Sequence, residues 1–124
     1  MTAAAESVDL AETAAAAAAD KLAEDIVGFD VSEQLAIADV FLLCSAPNDR
    51  QVRAVVEAIE EGLAARGSKP VRAEGRQQGR WVLLDYIDLV VHVLHAEDRA
   101  FYALERLWRD CPTVPLEIGA EVHR

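Results

Sequence analysis

The run Val40-Phe41-Leu42-Leu43-Cys44 is apolar at every position, and that continuity limits the folds open to the chain more than any other stretch does. A strand with one wetted face alternates apolar and polar side chains, whereas a strand covered on both faces does not. The run therefore belongs at the centre of a sheet with a layer on either side. Ser45-Ala46-Pro47-Asn48-Asp49, a turn cluster suited to capping a helix, comes next. Val52, Val55, Val56, Ile59 and Leu63 then hold one helical face until Gly67 stops it. This strand-loop-helix unit predicts an α/β fold. A length of 124 residues predicts a single domain with one core, burying somewhat under about 70% of the surface that the unfolded chain exposes.

Upstream, Asp9 and Glu12 have the spacing of a capping box and predict an alanine-rich helix from Asp9 to about Ala23. Leu10, Ala14, Ala18 and Leu22 would form its thin buried stripe, small enough for close approach to a sheet. Residues 1–8 are expected to be a flexible tail. Asp25 to Val31 reads as a strand, and a short extended piece surrounds Val71. If that piece runs parallel to the central strand, the connection should be a right-handed crossover. Glu74 to Arg80 is a polar loop containing Gly75 and Gly79, expected to be mobile.

Trp81–Tyr86 and Leu89–Leu94 predict a hairpin closed at Ile87-Asp88, with Tyr86 opposite Leu89. In that register Trp81, Leu83 and Asp85 share a face with Val90, His92 and Leu94, and Asp85 and His92 become diagonal neighbours. The favoured two-residue turns need positive φ at their first central position, which β-branched Ile87 resists. Glu97 and Asp98 complement the dipole at the start of a last helix ending by Pro112. Phe101, Leu104, Leu107 and Trp108 form its apolar stripe, flanked by a rim of Arg99, Tyr102, Glu105 and Arg106. The tail 113–124 is assigned no structure.

With 12 Lys+Arg against 22 Asp+Glu the net charge is -10, which repels nucleic-acid phosphates and favours a basic protein partner. Arg72, Arg76 and Arg80 form a local basic group, read as a solvated rim. Cys44 lies in the apolar run, where a buried free thiol is ordinary, and the cysteine usage fits a reducing cytoplasm. The N-terminus lacks a signal pattern, and no apolar run approaches the roughly 20 residues of a membrane helix. His92 and His95 leave a strand on opposite faces and do not suit one metal ion. His92 beside Asp85 reads as a hydrogen-bonded structural pair in preference to a general base, since no nucleophile is placed beside it. Ser45 to Arg50 lacks the glycines of a phosphate loop. Trp81, next to the glycine-containing loop, suits either a core or a binding hot spot. No cofactor is expected, and surface recognition is the chemistry these residues advertise.

From its first helix to Trp108 the chain resembles the Iojap family, the bacterial ribosomal silencing factors. The resemblance is carried by Asp25-Ile26-Val27, Ala38-Asp39-Val40-Phe41, Asp49-Arg50-Gln51-Val52, Glu74-Gly75, Trp81-Val82-Leu83-Leu84-Asp85-Tyr86, Val91-His92, and the block Arg99-Ala100-Phe101-Tyr102-Ala103-Leu104-Glu105-Arg106-Leu107-Trp108. It implies a mixed β-sheet flanked by helices over residues 9–112, related to nucleotidyltransferases without their catalytic motifs. It further implies a cytoplasmic translational repressor that binds large-subunit ribosomal protein fourteen, keeps the small subunit from joining and affects ribosome assembly. Carried onto this sequence, the partner-binding residues are Trp81, Leu83, Asp85, Tyr102, Glu74, Arg76 and His92. Two positions depart from the family pattern: Ile87 stands where glycine is usual, and Val40 replaces the usual aromatic. The competing expectations are a nucleotidyltransferase-like enzyme holding magnesium on Asp39 and Asp85, and a homodimeric adaptor associating beside Trp108. No DNA or membrane partner, and little direct RNA contact, is expected.

Overall fold

The structure, a computed structural model, describes residues 3–35, 38–102, 106 and 108–116. Helix α1 (Ala5–Asp20) leads into β1 (Glu24–Asp30), β2 (Val40–Ala46), α2 (Asp49–Ala64), β3 (Arg72–Glu74), β4 (Trp81–Asp85), β5 (Leu89–His95), α3 (Ala96–Tyr102) and β6 (Thr113–Val114). The strands form one mixed sheet in the order β3-β4-β5-β2-β1-β6, with β2 and β5 parallel and the other neighbours antiparallel. The apolar run is thus central, and Val40, Leu42, Leu43 and Cys44 are inaccessible to solvent. Burial pushes the Cys44 thiol up to about 12, so it remains a protonated core group.

One face of the sheet carries α1 and α2. Val52, Val55, Val56, Ile59 and Leu63 of α2 all pack there against Leu42, Cys44, Val82, Leu84, Val91 and Val93, as the helical spacing predicts. Asn48 caps α2 by accepting the Gln51 N–H at 2.8 Å. The helix ends at Gly67, whose φ of +82° suits a residue without a Cβ, and the Ser68 N–H returns to the Leu63 carbonyl at 2.9 Å.

The first helix departs from expectation in three ways. It begins one turn early, at Ala5, so residues 5–8 are helical and the Ser7 side chain is buried. Asp9 and Glu12 form no capping box around the helix start. The carboxylate of Asp39, distant in sequence, instead accepts the Ala4 N–H at 3.1 Å and the Ser7 hydroxyl at 2.9 Å, while Asp30 accepts the Ala3 N–H at 2.8 Å. These bonds tie the chain at the helix start to the sheet and put negative charge on the favourable end of the dipole. The buried stripe is Ser7, Ala11, Ala14, Ala15 and Ala18. Leu10 is only partly covered. Leu22 lies beyond the helix at φ +63°, 77% exposed. Small side chains do permit close packing, since a Cβ at Gly62 of α2 would stand 3.5 Å from the Ala17 Cβ.

At one sheet edge β3 pairs antiparallel with β4, which is itself antiparallel to β5, so β3 runs in the same direction as the central β2 and α2 crosses over between them. Thr113 and Val114, expected to be unstructured, pair with Phe29 and Gly28 of β1. Among the described residues no helix is long and apolar enough to cross a membrane.

Candidate functional site

The β4–β5 hairpin has the predicted register: Trp81 faces Leu94, Leu83 faces His92, Asp85 faces Val90, and the Tyr86 N–H reaches the Leu89 carbonyl at 2.8 Å. Directly paired residues share a face, so Glu74, Leu83, His92 and Leu43 form one row across four strands. Arg72, Asp85, Val90 and Phe41 form the next row. This face lies opposite α1 and α2. It carries Trp81, Leu83, Val90 and Phe41 only partly buried, beside the fully buried Leu43 and Leu94. Its apolar side chains are therefore incompletely covered, and Glu74 and Asp85 supply a carboxylate margin.

Trp81, His92, Phe41 and Trp108 form a contiguous aromatic group. Phe41 stands 4.9 Å from Trp108 and 5.2 Å from His92 between ring centres, and His92 stands 5.6 Å from Trp108. The expected Asp85–His92 pair is replaced. Trp81, the other diagonal neighbour of His92, donates its indole N–H to His92 Nδ1 at 3.2 Å. Asp85 Oδ1 turns back to accept the Ile87 N–H at 2.8 Å, and its second oxygen lies 3.7 Å from Arg72. An indole N–H only donates, so Nδ1 accepts and the proton of the neutral ring sits on Nε2. That atom is buried without a hydrogen-bond partner among the described residues. Burial pushes the imidazole down to about 4, which keeps it neutral at physiological pH.

Other predicted contacts disperse. Arg76 reaches over to Glu60 on α2, away from the Trp81 face. The polar loop carrying it is tied down, because Arg53 Nη1 donates to the Gln77 carbonyl at 3.2 Å. Gly75 turns beneath this loop with φ +86°, and a Cβ there would meet the Trp81 carbonyl oxygen at 2.0 Å. Arg80 binds Asp98 at 2.6 Å and holds that carboxyl below the usual range. Arg72 lies 3.5 Å from Glu74. The three arginines are thus each paired with acids, and they do not form a basic patch.

Arg99, expected on a solvent rim, is 6% exposed. It donates to the Asp25 carbonyl at 2.7 Å and contacts the Ser45 hydroxyl at 3.3 Å, bolting α3 to β1 and β2. Periodicity missed it because its partners, on β1 and β2, lie outside the helix. The side chains of Phe101 and Tyr102, and residues Leu104, Glu105 and Leu107, lie outside the described residues. Trp108 stands in a turn, against Phe41 and Phe29, and its packing was legible only as an apolar position. Asp39 and Asp85, the proposed magnesium pair, are engaged separately, the first at the start of α1 and the second at the hairpin turn.

The sequence model for "Ribosomal silencing factor during starvation" matches residues 4–124. The chain belongs to this family. It is 42% identical to the ribosomal silencing factor RsfS of Bacillus subtilis over 86% of this chain and 90% of that protein. It is 27% identical to the chloroplastic protein Iojap of Zea mays over 97% of this chain and 51% of that protein. A crystal structure from Bacillus halodurans superposes with a TM-score of 0.77 at 39% identity, covering 87% of this chain and 98% of that one. The silencing-factor relatives carry the names of regulators, not of enzymes. Ile87 closes the hairpin in a backbone conformation that favours glycine. Its φ is +76°, and the Asp88 N–H closes on the Tyr86 carbonyl at 3.0 Å in a three-residue turn. The Asp85 carboxylate supports that turn, and the register holds with a β-branched residue in it.

Proposed function

We propose that this silencing-factor chain is a translation regulator that docks on the large ribosomal subunit through ribosomal protein fourteen and blocks small-subunit joining by occupying space. The reading rests on family membership and on one observation above all: the sheet face opposite α1 and α2 presents Trp81, Leu83 and Val90 partly uncovered, bordered by Glu74, Asp85 and the Arg72 paired with them. A partly buried indole supplies contact area at low conformational cost, and the net charge of -10 suits a basic ribosomal protein better than RNA. Leu83, Asp85, Glu74 and Tyr102 are assigned to the same contact. Arg76, turned toward α2, is assigned a supporting role in the loop. The action requires no covalent step or cofactor, takes place in the cytoplasm, and extends to large-subunit assembly. Self-association beside Trp108 is compatible with docking if the two use different surfaces.

The test is a sucrose gradient of recombined subunits. Added protein should shift joined particles to separate subunits and co-sediment with the large one. Trp81→Ala should retain its far-ultraviolet circular dichroism and lose co-sedimentation. Unaltered subunit joining at saturating protein would refute the proposal.

A further inference from the structure

His92 belongs to the predicted contact set, yet it is 6% exposed, beneath Phe41 and Trp108, and cannot offer a partner much surface. Its geometry assigns it different work. The Nδ1 atom accepts the single polar hydrogen of Trp81 at 3.2 Å, while Nε2 carries a proton and is buried with no acceptor among the described residues. A buried donor without an acceptor is disfavoured, and a leucine or phenylalanine among these rings would bring no such donor. An imidazole is therefore a costly choice for packing alone. What it supplies, and a hydrocarbon does not, is an acceptor at the height of the indole nitrogen.

We infer that His92 is a positioning residue: it fixes the indole of Trp81 so that the ring presents an apolar surface to the docking partner with its N–H already satisfied. The inference rests on the docking role proposed above. Without that hydrogen bond, the indole N–H must find water or be desolvated when the partner closes over it, and the ring loses its preset orientation. Asparagine at position 92 places a carbonyl oxygen near the site of Nδ1 and can replace the acceptor. Leucine cannot.

The experiment compares the native protein with His92→Leu, His92→Asn, Trp81→Phe and the double variant His92→Leu/Trp81→Phe. It measures large-subunit binding, thermal stability and the indole N–H resonance by NMR. His92→Leu should be at least as stable as the native protein, move the Trp81 indole resonance, and bind about three- to tenfold more weakly. His92→Asn should recover most of the binding. The double variant should bind no more weakly than the weaker single variant, because both changes break the same link. Additive losses, or His92→Leu binding at native strength, would overturn the inference while leaving docking intact. So would a His92→Leu variant that unfolds, since the ring would then serve stability. If the native protein fails to bind large subunits, the docking reading falls first and this inference with it. The indole resonance still reports the hydrogen bond in that case.

Discussion

At the scale of single residues, two side chains sit in places that cost stability. His92 is neutral and buried, with its proton-binding tendency pushed down to about 4 from an ordinary value of 6.5. Above pH 6.5 neither the folded nor the unfolded chain protonates it. Below that value the unfolded chain gains a proton that the folded chain refuses until near pH 4, so stability falls as acid is added across this window. The expected loss is roughly 2 kcal/mol between pH 7.5 and pH 5. Urea midpoints at the two pH values check it, and His92→Phe should flatten the difference. Asp9 and Asp98, whose carboxyls are lowered by their arginine partners, lose their contribution only below their ordinary 3.8 and leave that window clear. Ile87 is the second case. Its φ of +76° is strained for a β-branched residue, and replacement by glycine relieves that strain. Glycine's greater unfolded freedom takes back about 0.5–1 kcal/mol. Ile87→Gly should therefore gain about 1 kcal/mol net, read as a rise of a few degrees in Tm.

Elements show which features a linear pattern encodes. The β4–β5 register, the face of α2 and the central place of β2 were legible, because each depends on period and on turn length alone. The start of α1 was not. No side chain caps the helix locally at Ala4, and the tether at its start is Asp39, brought in by the sheet. Arg99 was misread for a related reason: its partners are carbonyls on β1 and a hydroxyl on β2, invisible to helical periodicity. His92 has Asp85 and Trp81 as its two diagonal neighbours on the hairpin; it pairs with Trp81, while Asp85 accepts from the Ile87 N–H in the turn. Asp39 thus holds the start of α1 through the Ala4 N–H and the Ser7 hydroxyl. Asp39→Ala should cost about 1–2 kcal/mol in urea unfolding, and Asp39→Asn should cost less because it keeps an acceptor. A loss no larger than that of an exposed substitution such as Glu57→Ala would show that α1 begins without help from the sheet.

For the whole molecule, charge and topology set behaviour. A net charge of -10 with each loop arginine paired to an acid implies long-range attraction to a basic target. Raising salt should slow association with large subunits more than it speeds dissociation, as measured by surface-immobilised binding kinetics; equal changes in both rates would exclude steering. The parallel pairing of β2 with β5 carries a different consequence. The two strands at the middle of the sheet are separated in the chain by α2, β3 and β4, so the innermost seam closes only after His95 has been made. A chain cut short before β5 lacks one of the two strands of that seam, so the sheet's centre is assembled only from a nearly full-length product.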